Sequence, residues 1–249
     1  MSGSDESSAS ARSAREIPAR ALPTPKTVSP EMQKLVGAPP GPFWSKRPGT
    51  FEEWKEIVEA AAQPTLRALP ALCERLRVTY ERTILGGVRA CSVVPRAVTP
   101  ENRNRLLLHI HGGCYVWNPA KTGLPEAVLM AGFGGFKVLS VDYRMPPEAF
   151  FPAALDDVVA AWKAARKLKD PRRMAVFGTS AGEALTLALI LRAKSEGLPL
   201  PAAIASGTPM SDVTKTGDTF YTNELVDNVL VSRDGCASAR SSSTPTAVT

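Results

Sequence analysis

Histidine is almost missing from this chain of 249 residues: His109 and His111 are the only two. No imidazole follows residue 111, so the second half lacks the side chain that most often serves as a base near neutral pH. The four cysteines, Cys73, Cys91, Cys114 and Cys236, show neither C-x-x-C spacing nor a dense pattern. That excludes a disulfide-built scaffold and reads as reduced thiols in a cytoplasmic protein. No apolar run is long enough to span a bilayer. The first thirty residues are rich in Ser, Ala, Arg and Pro and hold no apolar stretch of signal-peptide length. A concentrated positive face is lacking too. The net charge is +6, but Arg12, Arg15 and Arg20 lie in the N-terminal arm. Lys163, Arg166, Lys167, Lys169, Arg172 and Arg173 surround one predicted helix end, where cations complement the dipole. No nucleic-acid motif accompanies them, so no nucleic-acid partner is expected.

What is present is ordinary globular composition, 44% hydrophobic and 22% charged. Residues 1–30 read as a flexible arm. Residues 31–72 read as a helical segment interrupted by Pro39, Pro40, Pro42, Pro48 and Pro64. Its clearest piece runs from Thr50 to Ala62. Thr50 followed by Glu53 has capping-box spacing, and Phe51, Trp54, Ile57, Val58 and Ala61 recur at helical intervals. From Arg75 the period changes. Arg77–Thr83 alternates as a half-buried strand, Gly86-Gly87 turns it, and Val88–Val94 returns. Strands are then expected at Arg105–His111, Lys137–Tyr143, Met174–Phe177 and Ala202–Ser206. Helices are expected at Leu124–Ala131, Pro152–Leu168 and Ala181–Lys194. Strand alternating with helix predicts an α/β fold, a mostly parallel sheet with helices on both faces. There is no internal repeat.

Two motifs carry chemistry. Gly178-Thr179-Ser180-Ala181-Gly182 stands between a buried-type strand and an apolar helix. Glycines on both sides of Ser180 permit a sharp turn that exposes its hydroxyl. The helix that follows brings backbone N–H groups and a positive dipole end to the place where an oxyanion forms. His111-Gly112-Gly113-Cys114 ends the third strand, and two consecutive glycines let backbone N–H groups turn toward a substrate carbonyl. Either motif alone has a plain reading, a loop or a strand-to-helix turn. Together they point to acyl transfer.

The chain resembles the α/β hydrolases related to hormone-sensitive lipase, which include many bacterial carboxylesterases. The resemblance rests on His111-Gly112-Gly113, on Asp142-Tyr143-Arg144-Met145-Pro146-Pro147-Glu148 with Phe151–Asp157, and on Gly178–Gly182. It covers roughly residues 75–212, and the helical segment before them is similar to that family's N-terminal cap. The resemblance implies Ser180 as nucleophile and the N–H groups of Gly112, Gly113 and Ala181 as oxyanion hole, with no cofactor and no metal. Within the 142–157 stretch, Arg144 is expected to pair with Glu148. Two positions depart from the pattern. Cys114 stands where a third glycine is usual. Glu183 stands where a second glycine usually follows the elbow, and it brings a carboxylate beside a site that stabilises negative charge.

In the family the triad acid and histidine come after the nucleophile, on loops after the seventh and eighth strands. Here 69 residues follow Ser180 and none is histidine. Asp212, Asp218, Asp227 and Asp234 come too early to be the acid. Residues 218–232 still resemble a family helix, but from Cys236 to Thr249 the chain is almost entirely Ser, Thr, Ala and Pro. The reading is therefore an incomplete α/β-hydrolase core over 73–235, its last two strands missing, with a tail over 236–249 of out-of-frame character; the alternative is a genuine short variant with a disordered end. Strand six would then be a bare sheet edge.

The expected function is a serine carboxylesterase on small acyl esters, crippled by the absent acid and histidine. Substrate would enter between sheet and cap, where Phe43, Trp44, Phe51 and Trp54 offer an apolar wall. The alternative is a non-catalytic ligand-binding protein on the same scaffold.

Overall fold

The computed structural model describes residues 21–41, 46, 48–210, 212, 216–223, 226 and 228. The chain divides into two units, Met1–Pro39 and Pro40–Thr249. The first contains the short helix α1, Pro30–Val36, capped by the Ser29 hydroxyl, which accepts from the Met32 N–H. The expected flexible arm falls mostly on residues outside those described.

The second unit opens with α2, Phe51–Leu76. Its capping box is present in both directions: the Thr50 hydroxyl accepts the Glu53 N–H at 3.2 Å and the Glu53 carboxylate accepts the Thr50 N–H at 3.3 Å. The helix runs through Pro64 and Pro70 rather than breaking at Pro64 as expected. Each interior proline removes one backbone bond, at a cost of about 3 kcal/mol. Burial of Trp54, Leu69 and Cys73 against the core offsets this. Arg77, left-handed at φ 53°, ends the helix and starts the sheet.

Six strands follow: β1 Val78–Leu85, β2 Val88–Pro95, β3 Leu106–Ile110, β4 Lys137–Val141, β5 Met174–Thr179 and β6 Ala203–Gly207. Their order in the sheet is β1-β2-β4-β3-β5-β6. β1 and β2 form an antiparallel hairpin through Gly86-Gly87, both at positive φ, and β2 pairs antiparallel with β4. β4, β3, β5 and β6 run parallel. The helices between them are α3 Pro125–Gly134, α4 Ala153–Leu168 and α5 Ala181–Ser195, with a short α6 at Thr219–Thr222.

β3 is buried along its whole length, and its alternation divides the core. Leu106, Leu108 and Ile110 face Trp162, Val158 and Leu189 of α4 and α5. Leu107 faces the other way, with Val128 and Ala131 of α3 and Leu69 of α2. The parallel register aligns Ile110 with both Val141 and Gly178, and Thr179 with Gly207. The segments after β3, β4, β5 and β6 therefore leave from one edge, where open α/β sheets place their sites. Among the described residues β6 is an outer strand, and Ala203, Ile204, Ala205 and Ser206 are exposed.

One expected pair is replaced. Arg144 binds Asp157, not Glu148: its Nη2 lies 2.7 Å from Oδ1, and its backbone N–H reaches Oδ2 at 2.8 Å. Asp157 is buried on α4 and its charge needs that compensation. Glu148 instead takes both Nη groups of Arg89, at 2.8 and 2.9 Å, and Arg89 Nε also reaches Asp142 at 3.2 Å.

Candidate functional site

Ser180 stands between β5 and α5 with φ 59° and ψ −118°. That is a sparsely populated conformation for a residue with a side chain, with a cost of about 1–3 kcal/mol, and it persists only where the surroundings enforce it. They do. A Cβ on Gly178 or on Gly182 would run into the Ile110 carbonyl, so only glycine lets the first turn of α5 lie against the end of β3. The Ser180 N–H donates to the Gly207 carbonyl at 2.9 Å, and the Ala184 N–H donates to the Ser180 carbonyl at 3.1 Å.

The glycine pair after β3 reaches the same point. A Cβ on Gly112 would stand 2.5 Å from the Thr179 carbonyl oxygen and 3.5 Å from Ser180 Cβ. Gly113 has φ +125° and turns the chain, its carbonyl accepting the N–H groups of Val116 and Trp117 at 2.9 and 2.7 Å. Ala181, fully buried, is the first residue of α5, where backbone N–H groups have no partner inside the helix. Ser180, Gly112, Gly113 and Ala181 are thus brought together at one sheet edge. Cys114 and Tyr115 take left-handed φ values of 52° and 63°, so the turn proceeds without a third glycine.

Neither histidine bonds the Ser180 hydroxyl. His111 is buried and stacked on Tyr143, ring centroids 4.3 Å apart, with Nδ1 2.8 Å from the Gly112 carbonyl. A carbonyl only accepts, so Nδ1 carries the hydrogen; Nε2 is buried with no hydrogen-bond partner. Burial pushes the imidazole down to about 4, against a smaller upward pull from the Gly112 bond. The Tyr143 hydroxyl donates to the His111 carbonyl at 2.8 Å and fixes the same turn. His109 lies on the other face of the sheet, against Phe177. Its Nδ1 meets Ser140 Oγ at 2.9 Å and its Nε2 meets Glu126 Oε2 at 3.1 Å. Glu126 Oε1 in turn accepts the Thr179 hydroxyl at 2.6 Å. Burial raises the Glu126 carboxyl, but the bonds to His109 and to the Thr179 hydroxyl outweigh it and hold the group below its ordinary range.

Glu183, in the first turn of α5, is fully buried, and neither carboxylate oxygen has a hydrogen-bond partner. Among the described residues no group of three or more His, Cys, Asp or Glu is placed to hold a metal ion.

A cavity of about 430 Å³ lies between α2 and the loops after β3 and β4, lined by Phe51, Trp54, Val58, Val116, Met145 and the Arg89–Glu148 pair among others. Ser180 and the glycine pair do not line it. The link is a small apolar cluster in which Trp54 packs with Cys114 and Val116, with Val58, Trp117 and Met210 at its border. Phe51 is partly exposed and meets Phe150, whereas Phe43 and Trp44, expected in the same wall, lie outside the described residues. Sequence reading missed Glu126. It stands one residue after Pro125 as an ordinary acidic group in a helix's first turn, and nothing in its spacing ties it to Thr179.

Comparison with known proteins agrees with this fold. The model of the α/β hydrolase fold family matches residues 107–248. An acetyl-hydrolase of Streptomyces hygroscopicus is 33% identical over 131 residues, which are 52% of this chain and 44% of that protein. The hormone-sensitive lipase of Mus musculus is 30% identical over 141 residues, 55% of this chain and 19% of its own length. A crystal structure of an esterase superposes with a TM-score of 0.86 at 31% identity, covering 92% of this chain and 72% of that one. The chain spans about half the length of the bacterial curated relatives it matches and about a fifth of the mouse lipase. No helix among the described residues is long and apolar enough to cross a membrane. On this evidence the chain belongs to the α/β-hydrolase family, and it is similar to esterases and to hormone-sensitive lipase.

Proposed function

We propose that this protein handles small acyl esters through Ser180, whose hydroxyl attacks the ester carbonyl while the N–H groups of Gly112, Gly113 and Ala181 receive the developing oxyanion. The observation that carries this reading is the Ser180 backbone, strained at φ 59° and packed against Gly112. Attack forms the Ser180 Oγ–acyl bond and expels the alcohol; water then cleaves the acyl-enzyme to acid and free serine. The acyl or alcohol group would lie toward Trp54 and Val116, where Arg89 is held by both Asp142 and Glu148 and the rest of the wall is largely apolar, which favours a neutral ligand. A cytoplasmic site of action belongs to the same proposal and rests on the scattered, reduced thiols.

Within these 249 residues turnover should be slow. The serine needs a base, no histidine follows it, and both imidazoles present are committed elsewhere. Loss of a triad histidine costs on the order of a millionfold in turnover, leaving roughly 10³-fold over water from the oxyanion hole and binding. That same observation favours a second reading, a ligand-binding protein that keeps the pocket without the chemistry. The test is hydrolysis of p-nitrophenyl butyrate by purified protein of confirmed mass, with Ser180→Ala beside it. We expect very slow, Ser180-dependent release. Fast Ser180-dependent turnover overturns the account of the base. Release equal in both proteins, with saturable binding of a short-chain ester, hands the site to the binding reading.

A further inference from the structure

The nucleophile elbow is tied to α3 and the sheet by a chain of polar groups that ester hydrolysis through Ser180 does not by itself require. The Thr179 hydroxyl, on the residue immediately before Ser180, donates to Glu126 Oε1 at 2.6 Å, the short distance of a charge-assisted bond. The other oxygen, Oε2, lies 3.1 Å from His109 Nε2, and His109 Nδ1 lies 2.9 Å from Ser140 Oγ. His109 is fully buried, and every polar atom on its ring is used. A carboxylate only accepts, so Nε2 carries the hydrogen and, in the neutral ring, Nδ1 accepts from the Ser140 hydroxyl. The bonds link three neighbouring strands, β4, β3 and β5, through Glu126 in the first turn of α3, where the dipole favours an anion.

We propose that Glu126 is a positioning residue for the nucleophile: through Thr179 it fixes the backbone that presents Ser180, and through His109 and Ser140 it anchors that backbone to the sheet. This rests on the reading of Ser180 as nucleophile. The elbow needs such an anchor because Ser180 sits in a conformation that relaxes unless its neighbours hold it. Backbone contacts hold one side: Gly207 accepts the Ser180 N–H, and the Thr179 carbonyl lies against Gly112. The Thr179 side chain is the remaining handle, and Glu126 takes it. A small drift of Thr179 would carry Ser180 away from the Gly112 and Gly113 N–H groups, and a misplacement of about 1 Å costs on the order of a hundredfold in rate.

Two measurements on the full chain test this. The first uses the scarcity of histidine. With two imidazoles in the protein, a ring-nitrogen NMR spectrum resolves both, and we expect opposite tautomers, Nε2–H for His109 and Nδ1–H for His111. Glu126→Gln should shift the His109 signals and leave His111 in place; a His109 unchanged by that substitution overturns the anchor. The second follows covalent labelling of Ser180 by a fluorophosphonate at pH 9, read by intact mass. The Ser180 Oγ–P bond forms, fluoride leaves, and hydroxide takes the proton. Thr179→Val, which keeps the shape and removes the hydroxyl, should label about tenfold more slowly, and Thr179→Ser should restore most of the rate. The double variant Glu126→Gln with Thr179→Val should be no slower than Thr179→Val alone, since both act through one bond. A purely structural bond would lower the unfolding midpoint of Thr179→Val and leave its labelling rate at the parent's, and that result overturns the proposal. Failure of the parent to label at Ser180, with Ser180→Ala as control, overturns the nucleophile reading itself and this proposal with it.

Discussion

Ser180 and Glu183 lie three residues apart and pose opposite problems. Ser180 is strained, and the strain is held by glycines that let β3, β5 and α5 approach; adding a single methyl at Gly178 or Gly182 would strike the Ile110 carbonyl. Glu183 has an unstrained helical backbone but a carboxylate fully buried with no hydrogen-bond partner. An unsatisfied buried acceptor costs about 1–3 kcal/mol, and a charged one more. Glu183→Ala keeps a helix-forming residue and removes both acceptors, so it should raise stability by about 1 kcal/mol or more, read as a higher urea midpoint at unchanged slope. Glu183→Gly should gain less, by the roughly 1 kcal/mol that glycine costs inside a helix. A lower midpoint for the alanine variant would mean that the carboxylate is compensated after all. The sequence marks Glu183 as an oddity because glycine is usual there; it does not reveal that the side chain points inward, which depends on how α5 sits on the sheet.

At the scale of elements, the reading from sequence does best where a local rule suffices. The Thr50–Glu53 capping box, the Gly86-Gly87 hairpin and the strand–helix alternation are all in place, because each depends on residues a few positions apart. It does worse where long-range contacts decide. α2 passes through Pro64 and Pro70 because tertiary burial outweighs propensity, and Arg144 finds Asp157 because β4 ends beside α4. Ser180, Gly112 and Gly113 were legible as motifs, and parallel register turns those motifs into one site. The Glu126–Thr179 bond joins residues 53 apart and leaves no trace in either motif. β6 is the element with the clearest consequence. Its residues 203–206 are exposed, including Ile204 at 39%, and an apolar strand edge invites pairing with another chain. Ile204→Lys should therefore reduce self-association, seen as a lower weight-average mass by light scattering at high protein concentration. An unchanged mass would show that this edge is not the route of association.

For the whole molecule, the buried His111 and the hydrogen-bonded carboxylates Glu126 and Glu148 set how stability varies with pH. His111 titrates at about 4 in the fold, because burial disfavours the imidazolium, against about 6.5 in the unfolded chain. A folded value depressed below the unfolded one means that the unfolded state takes up the proton first. The resulting stability is intact above about pH 6.5 and is lost as pH falls toward 4, amounting at most to about 3 kcal/mol for this one group. Glu126 and Glu148 act lower on the scale. The His109 and Thr179 bonds hold the first carboxyl below its ordinary range despite burial, and the Arg89 bond holds the second. Their contributions are lost only as pH falls below the ordinary carboxylate range. The urea midpoint should thus begin to drop near pH 6.5, before Glu126 and Glu148 take up protons, and fall more steeply below about pH 4.5. His111→Asn should flatten the upper part of the curve and leave the lower part. The His111 ring should stay neutral by NMR at pH 5, where an exposed imidazole is almost fully charged. A His111 that titrates near 6.5 in the folded protein, with a midpoint flat down to pH 5, would contradict the stacked, water-excluded packing on Tyr143 from which the expectation derives.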